Sequence, residues 1–79
     1  MMVVSLDCTR TTAEIHETLA AQLHFPEWYG KNLDALFDCL TTMTQEVHFT
    51  VLHSAEKPQF LRVLLDSSEI NPYITVHQE

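Results

Sequence analysis

The stretch that decides the fold is FPEWYGKNLDALFDCLTT, Phe25 to Thr42. Asn32 is a favoured helix N-cap, because its side-chain oxygen can accept a bond from a backbone N–H in the first turn. A helix is therefore expected from about Leu33 to Thr42. At about 100° per residue, Leu33, Leu36 and Leu40 fall together, with Ala35 and Cys39 on one flank. Asp34, Asp38 and Thr41 fall on the opposite side, and Phe37 lies at the border beside both aspartates. Like charges at i and i+4 cost a helix about 0.2–0.5 kcal/mol. Asp34 recovers part of this near the positive helix N-terminus, and Asp38, further along, recovers less. A purely solvated helix would more comfortably place a lysine at one of the two positions. The loop in front, PEWYGKN, carries the only tryptophan, Trp28, and the only glycine, Gly30. Gly30 is expected to take a left-handed backbone conformation that other residues avoid.

Upstream, MVVSL (Met2–Leu6) reads as a short buried strand. Thr11 followed by Glu14 fits a capping box, and Ile15, Leu19 and Leu23 recur at one-turn spacing. A first helix is expected over about Ala13 to Leu23, ended by Pro26, which disfavours helical geometry at Phe25. Downstream, EVHFTVLH alternates and is rich in β-branched and aromatic residues, so it reads as a second strand. EKPQFLRVLLDSSE places Phe60, Val63 and Leu64 at helical spacing, with Pro58 suited to a first turn. YITVH after Pro72 is a third strand. The order β-α-α-β-α-β implies a small three-stranded parallel sheet with helices packed on it, an α/β fold.

The chain has 79 residues, which suits a single domain over 1–79 with a thin stability margin. At 46% hydrophobic and 19% charged residues, it has too many apolar residues for disorder. Eleven carboxylates against four basic residues give a net charge of −7. Such a chain repels nucleic acid and anionic membrane and draws basic partners, although acidity also serves solubility. The start, MMVVSLDCTR, shows no basic leader, and its apolar run is too short for a signal peptide core or a membrane helix. A cytoplasmic location is expected, with Cys8 and Cys39 as free thiols and at least one of them buried.

Two rival chemistries were weighed. Glu27, Asp34 and Asp38 could form a general acid/base set, but there is no nucleophile motif and no phosphate-cradling glycine loop. An enzyme would need a concave pocket with convergent polar groups, whereas a docking protein needs a convex or flat acidic face. His16, His24, His48, His53 and His77 are scattered without metal-ligand spacing, so no metal and no cofactor are expected. Trp28 and Tyr29 come just before the second helix and could line the same surface, and exposed rings beside exposed carboxylates on so acidic a chain read as a docking face for a basic protein.

The same stretch closely resembles the segment that barstar-type ribonuclease inhibitors carry from the loop before their second helix to its end. The likeness lies in Pro-Glu-aromatic-Tyr-Gly followed by Asn-Leu-Asp-Ala-Leu-aromatic-Asp-Cys-Leu-Thr, without a gap. It covers about a fifth of the chain in detail, and element order carries it over most of the rest. The resemblance implies a barstar-like fold and a protein inhibitor of a barnase-like, guanyl-preferring ribonuclease, monomeric when free. It implies that Asp38 enters the enzyme's phosphate pocket and that Asp34 meets basic groups beside it. It also implies partner contacts at Trp28, Gly30, Asn32, Phe37 and Thr41. The alternative keeps the fold and changes the partner to a different toxin nuclease or another basic protein. Three departures stand out. Lys31 occupies a loop position that is acidic in the best-known member, Phe37 replaces a tryptophan and loses its N–H donor, and Ser54–Pro72 has room for one helix instead of two. With the second helix an acidic rim contact is lost, and Glu69 is an uncertain substitute for it.

Overall fold

The computed structural model describes residues 2–79. Three strands, β1 (Met2–Asp7), β2 (Val47–Leu52) and β3 (Ile74–Gln78), form one sheet in the order β1-β2-β3. Both pairings are parallel, with Val4 opposite Phe49 and Phe49 opposite Val76. The connections run through α1 (Thr12–Leu23) and α2 (Leu33–Thr41) between β1 and β2, and through α3 (Pro58–Ile70) between β2 and β3. The β-α-α-β-α-β order and the parallel sheet are those the sequence implies. A 3-10 turn at Ser54–Glu56 precedes α3, which fills the span expected to hold one helix.

Alternation along the strands sorts the residues by face. Val4 and Leu6 of β1, Val47, Phe49 and Val51 of β2, and Ile74 of β3 are buried. They share one cluster with Ile15, Leu19 and Leu23 of α1, Leu36 and Leu40 of α2, and Phe60 and Leu64 of α3. The alternate residues Val3, Ser5, Thr75 and His77 are exposed, and His48 and Thr50 half-exposed. The sheet is thus covered by helices on one face.

Leu36 and Leu40 are fully buried, as the stripe on α2 requires, but Leu33 is only half-buried against the core edge. Leu33 is the first residue of the helix, where the chain has just arrived from the surface loop, so its side chain packs at the rim. Cys8 is buried and Cys39 half-buried, and both are free thiols.

The ends of α1 and α2 are fixed by side chains. Thr11 and Glu14 form the reciprocal capping box on α1. Asn32 accepts from the Ala35 N–H at 2.8 Å and caps α2. At the other end of α2, the buried Asn71 side chain donates to the carbonyls of Leu40 and Met43, each at 2.9 Å. Its oxygen accepts from the Tyr73 N–H at 3.0 Å. One amide therefore adds a second donor to the Leu40 carbonyl, which also accepts from the Met43 N–H at 3.3 Å, pairs the Met43 carbonyl just past the helix, and ties α2 to the connection between α3 and β3.

Candidate protein-binding site

The site is built on α2 and the loop before it. Asp34 and Asp38 are both exposed, one turn apart, on the side of α2 away from Leu36 and Leu40. Among the described residues the ion pairs are Arg10–Glu14, Lys31–Glu17, His48–Glu46 and His77–Glu79, and none engages Asp34 or Asp38. The two carboxylates therefore face solvent without a cation of their own.

The loop turns back toward this face. Trp28 is 79% exposed, the most exposed large hydrophobic side chain described. Its neighbour Tyr29 points the other way and is 6% exposed. This in-out pair presents Trp28 because Tyr29 is anchored. The Tyr29 hydroxyl lies 2.7 Å from Nδ1 of the buried His16 on α1. The Tyr29 ring also packs on Phe25, with centroids 4.8 Å apart, and His16 stacks on Phe60 of α3 at 5.2 Å. Burial pushes the Tyr29 phenol up to about 12, with the nearby Cys39 thiol adding to the shift. Burial holds the His16 imidazole below its ordinary value, and the positive charge of Lys31 pushes the same way.

Gly30 does not adopt the left-handed backbone expected of it; no glycine has positive φ, and Lys31 does, at 52°. What glycine provides at position 30 is space. A Cβ there would lie 3.0 Å from Nδ2 of Asn32, the group that donates to the Gly30 carbonyl at 3.3 Å. The Asn32 side chain thus braces the loop with its nitrogen and caps the helix with its oxygen, and Gly30 makes room for both bonds. The backbone reversal is displaced by one residue onto a lysine whose ammonium lies 3.8 Å from Glu17.

The face is not flat. A groove of about 450 Å³ runs between the end of α1, the loop and the end of α2. Trp28 and Asp38 line it together with Phe25, Cys39, Thr42 and Met43. Glu27 and Asp34 do not, so the three carboxylates weighed as an acid/base set are not gathered around one cavity. Phe37 is half-buried at the border of the helix, as its phase requires. Thr41, one turn on from Asp38, is half-buried, and its hydroxyl donates to the Asp38 carbonyl at 3.2 Å. Of the seven expected contact residues, Trp28 and Asp38 meet in the groove, Asp34 flanks them, and Gly30 and Asn32 shape the support. Tyr29, expected to line the docking surface beside Trp28, is instead buried against His16, and the sequence reading missed that His16 sets the loop and that Thr42 and Met43 line the groove. A signal existed for His16, since it falls one turn before Leu19 and two before Leu23 on the flank of the apolar stripe.

A family model described as Barstar (barnase inhibitor) matches residues 1–73. The chain belongs to the barstar family. The chain is also 59% identical over 27 residues to a Bacillus subtilis (strain 168) protein named "Putative ribonuclease inhibitor YrdF". That match covers 34% of the chain and 30% of the relative. The order of strands and helices found here is that expected of a barstar-like fold. Among the described residues no helix is long and apolar enough to cross a membrane.

Proposed function

We propose that the chain is a protein inhibitor of a basic ribonuclease of the barnase-like class, and that it blocks the enzyme with the acidic face of α2 and the Phe25–Lys31 loop. The observation that carries this reading is the pair of exposed carboxylates, Asp34 and Asp38, on the outward side of α2, with none of the ion pairs among the described residues engaging them, beside the exposed ring of Trp28. A ribonuclease holds its substrate phosphate with arginine, lysine or histidine. A carboxylate on a helix capped at both ends can stand in for that phosphate without further ordering. Asp34 adds a second charge one turn away, and the like-charge repulsion between them in the free chain is relieved when cations arrive. Trp28 offers a flat apolar surface at low entropy cost, suited to a guanidinium or an apolar contact. Gly30, Asn32, Phe37 and Thr41 supply further contacts to the enzyme, and Gly30 and Asn32 also brace the loop against the start of α2. Lys31 is the one basic group at this site, and it favours enzymes with an acidic or neutral rim opposite it. The net charge of −7 steers a basic enzyme toward the chain over long range.

The test is inhibition of a barnase-like ribonuclease by the wild type, Asp38→Ala and Glu14→Ala. Removing Asp38 leaves the enzyme's basic groups buried without a partner, which typically costs about 3–5 kcal/mol, so inhibition weakens more than about a hundredfold. Glu14, remote on α1 and engaged with Thr11, leaves inhibition nearly unchanged and alters only the salt dependence of association. Equal inhibition by all three proteins rejects the role of Asp38. No inhibition by the wild type rejects the barnase-like target and points to another nuclease.

A further inference from the structure

His16 is a buried titratable side chain that the proposed docking surface does not use. It is 1% exposed, and its Nδ1 lies 2.7 Å from the Tyr29 hydroxyl. Its ring stands between Phe60 of α3, at 5.2 Å, and the Tyr29 ring, at 5.8 Å. The bond thus joins α1 to a loop whose Pro26, Glu27, Trp28 and Gly30 are all exposed. Among the described residues, Tyr29 and the half-buried Phe25 are the loop side chains packed in the core, beside the surface contact of Lys31 with Glu17.

We propose that His16 and Tyr29 form a pH-sensitive latch, and that protonation of His16 releases the Phe25–Lys31 loop while the sheet and helices stay folded. In the neutral pair one proton lies between Nδ1 and the phenol oxygen. An imidazolium carries its own proton on Nδ1 and can only donate there, so a phenol that donated to Nδ1 must turn its hydrogen away and accept instead, and the cation sits among apolar groups. The surrounding charges do not rescue it. Lys31 on the loop is positive and opposes protonation. Glu17 on α1 is turned to Lys31 at 3.8 Å. From α3 the ring meets Phe60, which is uncharged, and behind Tyr29 lies the Cys39 thiol of α2. Among the described residues no carboxylate is within ion-pair range of the ring. Opening the loop hydrates the imidazolium at the expense of one tyrosine and part of one phenylalanine. Unfolding would expose the whole core, so the local route is the cheaper one. The consequence for partner binding rests on the inhibitor reading, since Trp28 lies on the released loop, but the latch itself needs no partner to test.

Trp28 is the only tryptophan, so its emission reports the loop directly. The experiment follows the His16 ring by proton NMR, Trp28 emission and far-UV circular dichroism between pH 8 and pH 4. The expected result is a change in emission that tracks the His16 ring below the ordinary histidine value of about 6.5, with the dichroism constant. His16→Gln removes the transition, and Tyr29→Phe shows the acid-form emission already at neutral pH. His24→Asn leaves the transition in place, which separates it from the exposed histidine that lines the same groove. Constant emission while the ring titrates overturns the latch, as does a transition that persists in His16→Gln or a loss of dichroism at the same midpoint. Should His16→Gln not fold, wild-type emission from Tyr29→Phe at neutral pH overturns it equally. Failure here leaves the inhibition test of Asp38, run at a fixed neutral pH, standing on its own.

Discussion

Lys31 is the residue at which local cost and site geometry meet most plainly. With φ at 52° it occupies a left-handed conformation that costs an L-residue about 1–2 kcal/mol. Gly30 beside it could have taken that conformation freely, yet is held by the space Asn32 needs. The reversal therefore falls on the residue between glycine and cap. A side chain branched at Cβ should tolerate this position worst, and glycine should carry no steric penalty there. We predict that Lys31→Gly is more stable than Lys31→Val by about 1 kcal/mol in urea unfolding, after allowance for the greater freedom of glycine in the unfolded chain. Both variants lose the exposed contact to Glu17, worth at most about 1 kcal/mol, so their difference isolates the backbone term. Equal stability of the two would show that the conformation at position 31 is not under strain.

At the scale of elements, α2 is the part that must be rigid, and it is fastened at both ends by asparagines. Asn32 acts locally, whereas Asn71 reaches back from beyond α3 to the carbonyls of Leu40 and Met43. Truncating Asn71 takes the donor from the Met43 carbonyl, which costs about 1–3 kcal/mol, and leaves the Leu40 carbonyl with the longer bond from the Met43 N–H. We predict that Asn71→Ala lowers unfolding free energy by about 2–3 kcal/mol, read from the urea midpoint, and that loss of under half a kcal/mol would deny Asn71 this role (a threshold of about 0.5 follows from ordinary surface substitutions). The contrast also shows what the sequence made legible. Asn32, the leucine stripe and the alternation of β2 are signals within one or two turns, and local signals of that kind placed every strand and α-helix. Asn71 gives no such signal, because its partners lie 28 and 31 residues away. For the same reason the site was only half legible: the phase of α2 placed Asp34 and Asp38 outward, but His16 beneath Tyr29 depends on how α1 packs against the loop. Helical phase also does not show that the Thr41 hydroxyl folds back onto the Asp38 carbonyl. Leu33 was overrated because a stripe does not say where a helix end meets the surface.

For the molecule as a whole, acidity and burial set opposite responses to pH. Hydrogen bonds from Thr9 hold the Asp7 carboxyl below its usual range, and those from Thr11 do the same for Glu14. A lowered folded-state value for an acid contributes stability above its unfolded value, so both contributions fade as pH falls through about 4. Burial lowers His16, so the unfolded chain takes up a proton first as pH falls below about 6.5, and stability declines from there. At the alkaline end, Tyr29 is raised to about 12, and its contribution is complete below about 10 and lost as pH climbs toward 12. Against the acid losses, protonating carboxylates on a chain of −7 relieves self-repulsion, a long-range effect that salt screens. The His16 effect arises from burial and is little screened. We therefore predict that the urea midpoint falls between pH 6.5 and pH 5 in low and high salt alike, while the chain stays folded without denaturant. In His16→Gln that decline disappears, whereas the later loss below about pH 4.5 remains. A decline of equal size in His16→Gln would assign the near-neutral loss to the surface charges and remove the histidine from the balance.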